Sequence, residues 1–145
     1  MKKLNKWLLI TLVLTGLLSA CAPKSEVAEK IPPSKTESVE GSDYKRLTLT
    51  EKAVERLDIQ TAPVRMEQVN GSEHKVIPYA AILYGLNGET WTYTNPEPLV
   101  YFREVIVVDH IDGDMAVLSE GPEVDMPVVT VGVSLLYGAE IGVSK

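Results

Sequence analysis

The chain has one cysteine, two histidines and one phenylalanine in 145 residues, and it carries more acid than base. A single cysteine excludes an internal disulfide framework and a Cys-rich metal site. The histidines, His74 and His110, show no His-x-x-x-His or similar ligand spacing, so they read as a loop residue and a strand-end residue. The net charge of −6 leaves no basic face to neutralise phosphates, which excludes nucleic acid as a partner. No Gly-x-Ser-x-Gly surrounds Ser119, and Gly85 and Gly88 bracket a turn rather than a phosphate loop, so no motif marks an enzyme.

What is present begins at the N-terminus. Lys2, Lys3 and Lys6 precede residues 7–18, which carry no charge. That run is short of the roughly 20 residues that cross a bilayer and fits a signal h-region. Leu18-Ser-Ala-Cys21 follows and resembles the lipobox of bacterial lipoproteins. The resemblance implies that residues 1–20 are a signal peptide and that Cys21 carries a covalent lipid, the chain's only attached group, with no other cofactor. It also places the mature chain on the extracytoplasmic side of a membrane of the bacterial envelope, anchored in membrane lipid through Cys21. Loss of the three lysines takes the charge from −6 to about −9.

Residues 22–43 are rich in Pro, Ser, Glu and Lys and lack aromatics. With little apolar surface to offset the entropy of ordering, residues 21–43 read as a lipidated, disordered tether, and residues 44–145 as a single β-domain.

Within that domain Leu47-Thr-Leu-Thr50 alternates as a strand. Ala53, Val54 and Leu57 then sit at helical spacing behind an N-cap at Thr50, with Glu51 in the first turn. Residues 59–69 read as extended and bent at Pro63. From Lys75 onward β-prone runs dominate: residues 76–77, 80–84, 90–94, 99–111, 115–118 and 128–131. Turn residues at 85–88, 95–98, 112–113 and 121–122 separate them. The apolar stretch 105–108 reads as covered on both faces. Residues 133–137 read as one helical turn closed by Gly138. The fold class expected is mainly β, a small antiparallel barrel or sandwich of about six to eight short strands with one or two short helices.

Two segments resemble periplasmic adaptor subunits, the membrane fusion proteins of efflux transporters. Leu47-Thr-Leu-Thr-Glu-Lys-Ala-Val-Glu-Arg-Leu-Asp-Ile-Gln-Thr-Ala-Pro-Val64 resembles their opening β-segment. Val76-Ile-Pro-Tyr-Ala-Ala-Ile-Leu83 resembles the strand that opens their membrane-proximal C-terminal domain. Thr90-Trp-Thr-Tyr93, Arg103-Glu-Val-Ile-Val107 and Leu135-Leu-Tyr-Gly-Ala-Glu-Ile-Gly142 fit later parts of that domain. Pro122 and Asp125 depart from the family's usual Leu and Gly. Full adaptors insert a lipoyl-like domain and a helical hairpin between the two segments, where this chain has only residues 65–75. The resemblance therefore implies a reduced adaptor-like component that docks on a transporter or adaptor subunit without bridging two membranes.

Asp109, Asp112 and Asp114 cluster near Glu120. They are weak candidates for a cation, but the spacing is not that of a calcium loop, and Asp112-Gly113 between β-prone flanks is a hairpin signal. Tyr79, Tyr84, Trp91, Tyr93, Tyr101 and Phe102 read mainly as core. Trp91, Tyr101 and Phe102 are the candidates for anchoring a protein interface. Alternatives to the adaptor-like reading are a lipoprotein module that binds a small ligand or metal ion in a concave mouth, and a remnant with structural value only.

Overall fold

The computed structural model describes residues 32–142, and the following statements concern those residues. Eleven strands and two helices succeed one another: β1 (Ser34–Ser38), β2 (Lys45–Leu49), α1 (Glu51–Arg56), β3 (Gln60–Pro63), β4 (Arg65–Val69), β5 (Ser72–Pro78), a 3-10 turn (Tyr79–Ala81), β6 (Leu83–Tyr84), β7 (Thr90–Glu97), β8 (Val100–Val105), β9 (Val107–Asp112), β10 (Met115–Glu120), β11 (Pro127–Val131) and α2 (Val133–Ile141). They form a seven-stranded sheet in the order β1-β2-β8-β7-β11-β3, with β6 on β7, and a four-stranded sheet in the order β4-β5-β10-β9. The fold is mainly β and sandwich-like rather than a closed barrel.

Two buried aliphatic residues carry the chain from one sheet to the other. β3 gives way to β4 at Val64, and β8 to β9 at Ile106; their exposures are 0% and 1%. Neither crossing leaves its backbone unpaired. Val64 N–H donates to Met126 O and its carbonyl accepts from Asp125 N, both at 2.9 Å, while Ile106 N–H donates to Thr90 O at 3.0 Å. The Ile106 carbonyl accepts from Thr90 Oγ1 at 2.7 Å. Satisfied backbone is what permits a strand to break inside a core. Val64 and Ile106 pack with Ile77, Ala81, Ala116, Leu118 and Val128. A second cluster, Leu47, Leu49, Ala53, Tyr93, Tyr101, Val129, Val133 and Leu136, lies where the helices pack on the seven-stranded sheet.

The crossing at Ile106 explains why residues 99–111 are two strands and not one. It also corrects the reading of 105–108 as doubly covered: Val105 and Val107 turn outward at 53% and 43% exposure. Strand β1 is a second correction, because it falls inside the expected tether and pairs antiparallel with β2, Ser34 opposite Leu49 and Ser38 opposite Lys45. β1 buries almost nothing, so the backbone pairing with β2 holds it rather than apolar contact. Lys35 beside Glu37 keeps that carboxyl below the usual carboxylate range, and charges of this kind blunt an exposed sheet edge. The strand total exceeds the expected six to eight because β1, β3, β4 and the crossings add to the apolar runs.

The expected α1 forms, and Thr50 Oγ1 accepts from Ala53 N at 3.2 Å as its N-cap. The strand expected over 80–84 instead begins as the 3-10 turn, with only Leu83–Tyr84 paired as a strand. β7 runs on through Pro96, past the turn expected at 95–98, and its register shifts between Thr94 and Glu97. A shift of this kind accommodates a proline that cannot donate. The hairpin loop is Pro98-Leu99, with Leu99 at φ 66°. Asn70 and Gly71, at φ 51° and 87°, close the β4–β5 hairpin as a type I′ turn. Gly113, at φ 60°, occupies the first loop position of the β9–β10 hairpin, as type II′ turns require.

α2 extends to Ile141, so Gly138 lies within it, and left-handed glycines at 132 (φ 90°) and 142 (φ 79°) bracket it. A Cβ on Gly132 would collide with the end of the Ile59 side chain, whereas one on Gly142 would meet nothing within 4 Å. Gly132→Ala is therefore expected to cost about 1–3 kcal/mol and more than Gly142→Ala, read as a lower urea midpoint at unchanged slope.

Candidate functional site

A groove of about 590 Å³ opens beside β9, an edge strand of the four-stranded sheet. Tyr84, Trp91, Val105, Val107 and Ile111 line it, with Tyr44 and the β6–β7 turn. Four of these are well exposed: Tyr84 at 56%, Val105 at 53%, Val107 at 43% and Ile111 at 42%. The turn is built to approach closely. A Cβ on Gly85 would lie 2.6 Å from the Trp91 indole, so only glycine lets the chain pass there. Glu89 holds the turn by accepting from Asn87 N and Asn87 Nδ2, each at 3.1 Å, and these hydrogen bonds lower the Glu89 pKa.

Beneath the groove lies a network that engages two of its aromatics, Tyr44 and Trp91. The Arg103 guanidinium sits 4.4 Å from the Tyr44 ring centre, 4.6 Å from Trp91 and 5.2 Å from Tyr137. Its Nη2 donates to Glu140 Oε1 at 3.0 Å. The Tyr93 hydroxyl donates to the other Glu140 oxygen, and Trp91 Nε1 donates to the Tyr44 hydroxyl at 3.1 Å. Glu140 is 4% exposed. A carboxylate this deep is tolerable because it is paired with a cation and hydrogen-bonded at both oxygens. The ion pair is single-pronged, since Arg103 Nε is buried without a partner among the described residues. The network links β7 and β8, in the sheet, to α2.

Burial first, and the hydrogen bond to Glu140 second, hold the Tyr93 hydroxyl well above its ordinary pKa. Below about pH 10 the phenol is protonated in both folded and unfolded chains. Above it, only the unfolded chain releases that proton, so stability falls by about 1.4 kcal/mol per pH unit. Burial also raises the Tyr101 pKa. Tyr93→Phe is therefore expected to make the loss between pH 10 and 11.5 shallower without abolishing it, measured as the urea midpoint across that range.

The interface candidates separate. Trp91 lines the groove. Tyr101, 3% exposed, belongs to the core, so its assignment to an interface is corrected. The Arg46 guanidinium lies 5.1 Å from the centre of the half-buried Phe102 ring, away from the groove. Tyr79 and Tyr84, read as core, are 48% and 56% exposed, because the 3-10 turn and the short β6 carry them to the surface. Thr92 and Thr94 are fully buried. Their hydroxyls donate to Ala81 O at 3.0 Å and Glu104 Oε1 at 2.8 Å, which offsets the cost of burying them.

Of the acidic candidates, Asp109 contacts His110 Nδ1 at 2.8 Å, while Asp112 and Asp114 are exposed at the hairpin turn. Among the described residues no group of three or more His, Cys, Asp or Glu is placed to hold a metal. His74 lies in β5 opposite Glu67 rather than in a loop. Cys21, the signal segment 1–20 and the expected tether up to residue 31 lie outside the described residues. Among the described residues no helix is long and apolar enough to cross a membrane.

The residues that reasoning from sequence passed over are Arg103 and Glu140, noted only as parts of longer motifs, and Tyr44. Glu140 had a signal, being the lone charge between Val131 and Val143. No family model, curated protein or solved structure matches the chain.

Proposed function

We propose that the chain is a lipid-anchored domain of the bacterial envelope that acts by protein–protein contact, as a reduced adaptor-like component beside an efflux transporter. The observation that carries this reading is the groove along β9. It presents exposed aromatic and aliphatic side chains over a braced floor, and rigid aromatics are what interface anchors are made of. The free edge of β9 adds unpaired backbone groups to which an extended partner segment could add as a strand. Arg103 and Glu140 are engaged with each other, so the groove offers shape and apolar surface rather than reactive groups. The adaptor-like segments contribute its parts: Trp91, Val105 and Val107 come from the stretches that resemble the family's membrane-proximal domain. Where full adaptors carry further domains, this chain has only β4, the Asn70-Gly71 turn and the start of β5.

The test is a photo-crosslinking amino acid placed at Val107 or Tyr84 in cells, with Glu67 on the opposite edge strand as control. Adducts with a transporter or adaptor subunit from positions 107 and 84, but not 67, support the reading. Stable protein that yields no groove-specific adduct counts against it.

A further inference from the structure

α2 presents no charged side chain on its outer side. Its nine residues contain one charged side chain, Glu140, and that one is buried, while Leu135 and Ile141 face outward at 49% and 51% exposure. Val133 and Leu136 pack on the core in the ordinary way, but a surface helix normally turns charged rather than aliphatic residues to water. Beside its outer face runs a second groove, of about 460 Å³, floored by Leu49, Ala53, Leu57 and Ala139. Arg56 stands in its wall as the one charged lining residue, and Pro33 and Ser34, where the described chain begins, form part of its rim.

We infer that this face, α2 with the groove against α1, lies on the lipid bilayer, with Leu135 and Ile141 at the level of the headgroups and upper acyl chains. The inference rests on the proposed lipid anchor at Cys21. As a relaxed coil residues 22–32 span only about 18 Å, at roughly 5–6 Å times the square root of length, so the rim at which the chain enters, at Pro33 and Ser34, is on average the part of the domain nearest the membrane. The charged residues of β1 and α1, Lys35, Glu37, Glu51, Lys52, Glu55 and Arg56, are balanced in sign. That suits zwitterionic headgroups rather than capture by an anionic surface. Outward aliphatic side chains add apolar area that is buried on contact with the headgroup–acyl boundary, and binding there scales with that area.

The experiment uses the lipidated full chain reconstituted in phosphatidylethanolamine–phosphatidylcholine vesicles. Cys21 is the only cysteine and a thioether blocks it, so Leu135→Cys provides a single site for a nitrobenzoxadiazole label; Glu67→Cys is the control. The label at 135 is expected to shift to the blue and to resist aqueous dithionite, while that at 67 is reduced freely. Vesicles that float with the protein but leave the 135 label as reducible as the 67 label overturn the inference and leave the anchor standing. Protein that fails to float removes the anchor instead. The face is then tested in a Cys21→Ser background with vesicles added from outside. Protection that rises with lipid, and weakens about ten-fold with Ile141→Asp, upholds bilayer contact; none at any lipid concentration overturns it. Protection seen only in native membranes, with a protein adduct, assigns the face to a protein and also overturns the inference.

Discussion

Glu140→Ala is expected to lower the unfolding free energy by about 3–5 kcal/mol, because it leaves the Arg103 guanidinium buried without its counter-charge. The Tyr93 hydroxyl loses its acceptor in the same step. Against a typical total of about 5–15 kcal/mol, that is a large share of the stability. Arg103 has another attraction to fall back on, the faces of Tyr44, Trp91 and Tyr137, worth about 0.5–2 kcal/mol each for a desolvated cation. Replacing both partners, Arg103→Met with Glu140→Leu, is accordingly expected to cost less than Glu140→Ala alone. Chemical denaturation of the parent, Glu140→Ala, Arg103→Met, Glu140→Leu and the double variant checks it. A double variant as damaged as the sum of the singles would show that the two charges do not act as a unit. Groove geometry should follow stability: Trp91 fluorescence is expected to shift to the red in Glu140→Ala even in the fraction that remains folded. Trp7 falls in the expected signal segment, so mature chain should report on Trp91 alone.

Ile106→Ala is expected to cost about 2–5 kcal/mol, at the upper end for an aliphatic truncation. The residue is 1% exposed and sits where the chain passes between sheets, with its N–H and carbonyl tied to Thr90. Neighbours fixed by two separate hydrogen-bond ladders cannot readily collapse into the space left behind, and the cost of a cavity rises as collapse is prevented. Val107→Ala, one residue along and 43% exposed, is the comparison and should change stability by less than about 1 kcal/mol. The two valines and the isoleucine are chemically alike in sequence. Equal effects at 106 and 107 would show that the sheet crossing does not control packing there.

That pair of residues also marks where the sequence could be read and where it could not. An apolar run tells that burial occurs nearby. It does not tell that the strand changes sheets in mid-run and turns every second side chain outward. Local chemistry was legible wherever one residue decides the geometry. Thr50 caps α1, Asp112-Gly113 lies at the β9–β10 turn, and alternation in residues 90–94 marks the start of β7. Asn70-Gly71 was equally readable as a two-residue hairpin turn. β1 was not legible, because a strand added to a sheet edge needs backbone partners and not apolar side chains. The groove was legible only at Trp91; Tyr44 and Ile111 join it through contacts distant in sequence. Glu140 stood out as a lone acid, but its partner Arg103 is 37 residues away, and nothing local names that pair.

The position of β1 has a mechanical consequence. It is the outermost strand of the seven-stranded sheet and the first element after Pro33, and it runs antiparallel to β2. A pull on the chain at Pro33 therefore strains the β1–β2 hydrogen bonds from one end, opening them one after another like a zipper rather than shearing them together. Because β1 buries almost no side chain, little besides those bonds resists. Unzipping as far as Tyr44 would release residues 34–44, about 35 Å of extra reach, while β2 and the core behind it stay paired to β8. The first strand can thus act as a compliant spring between the load and the folded body.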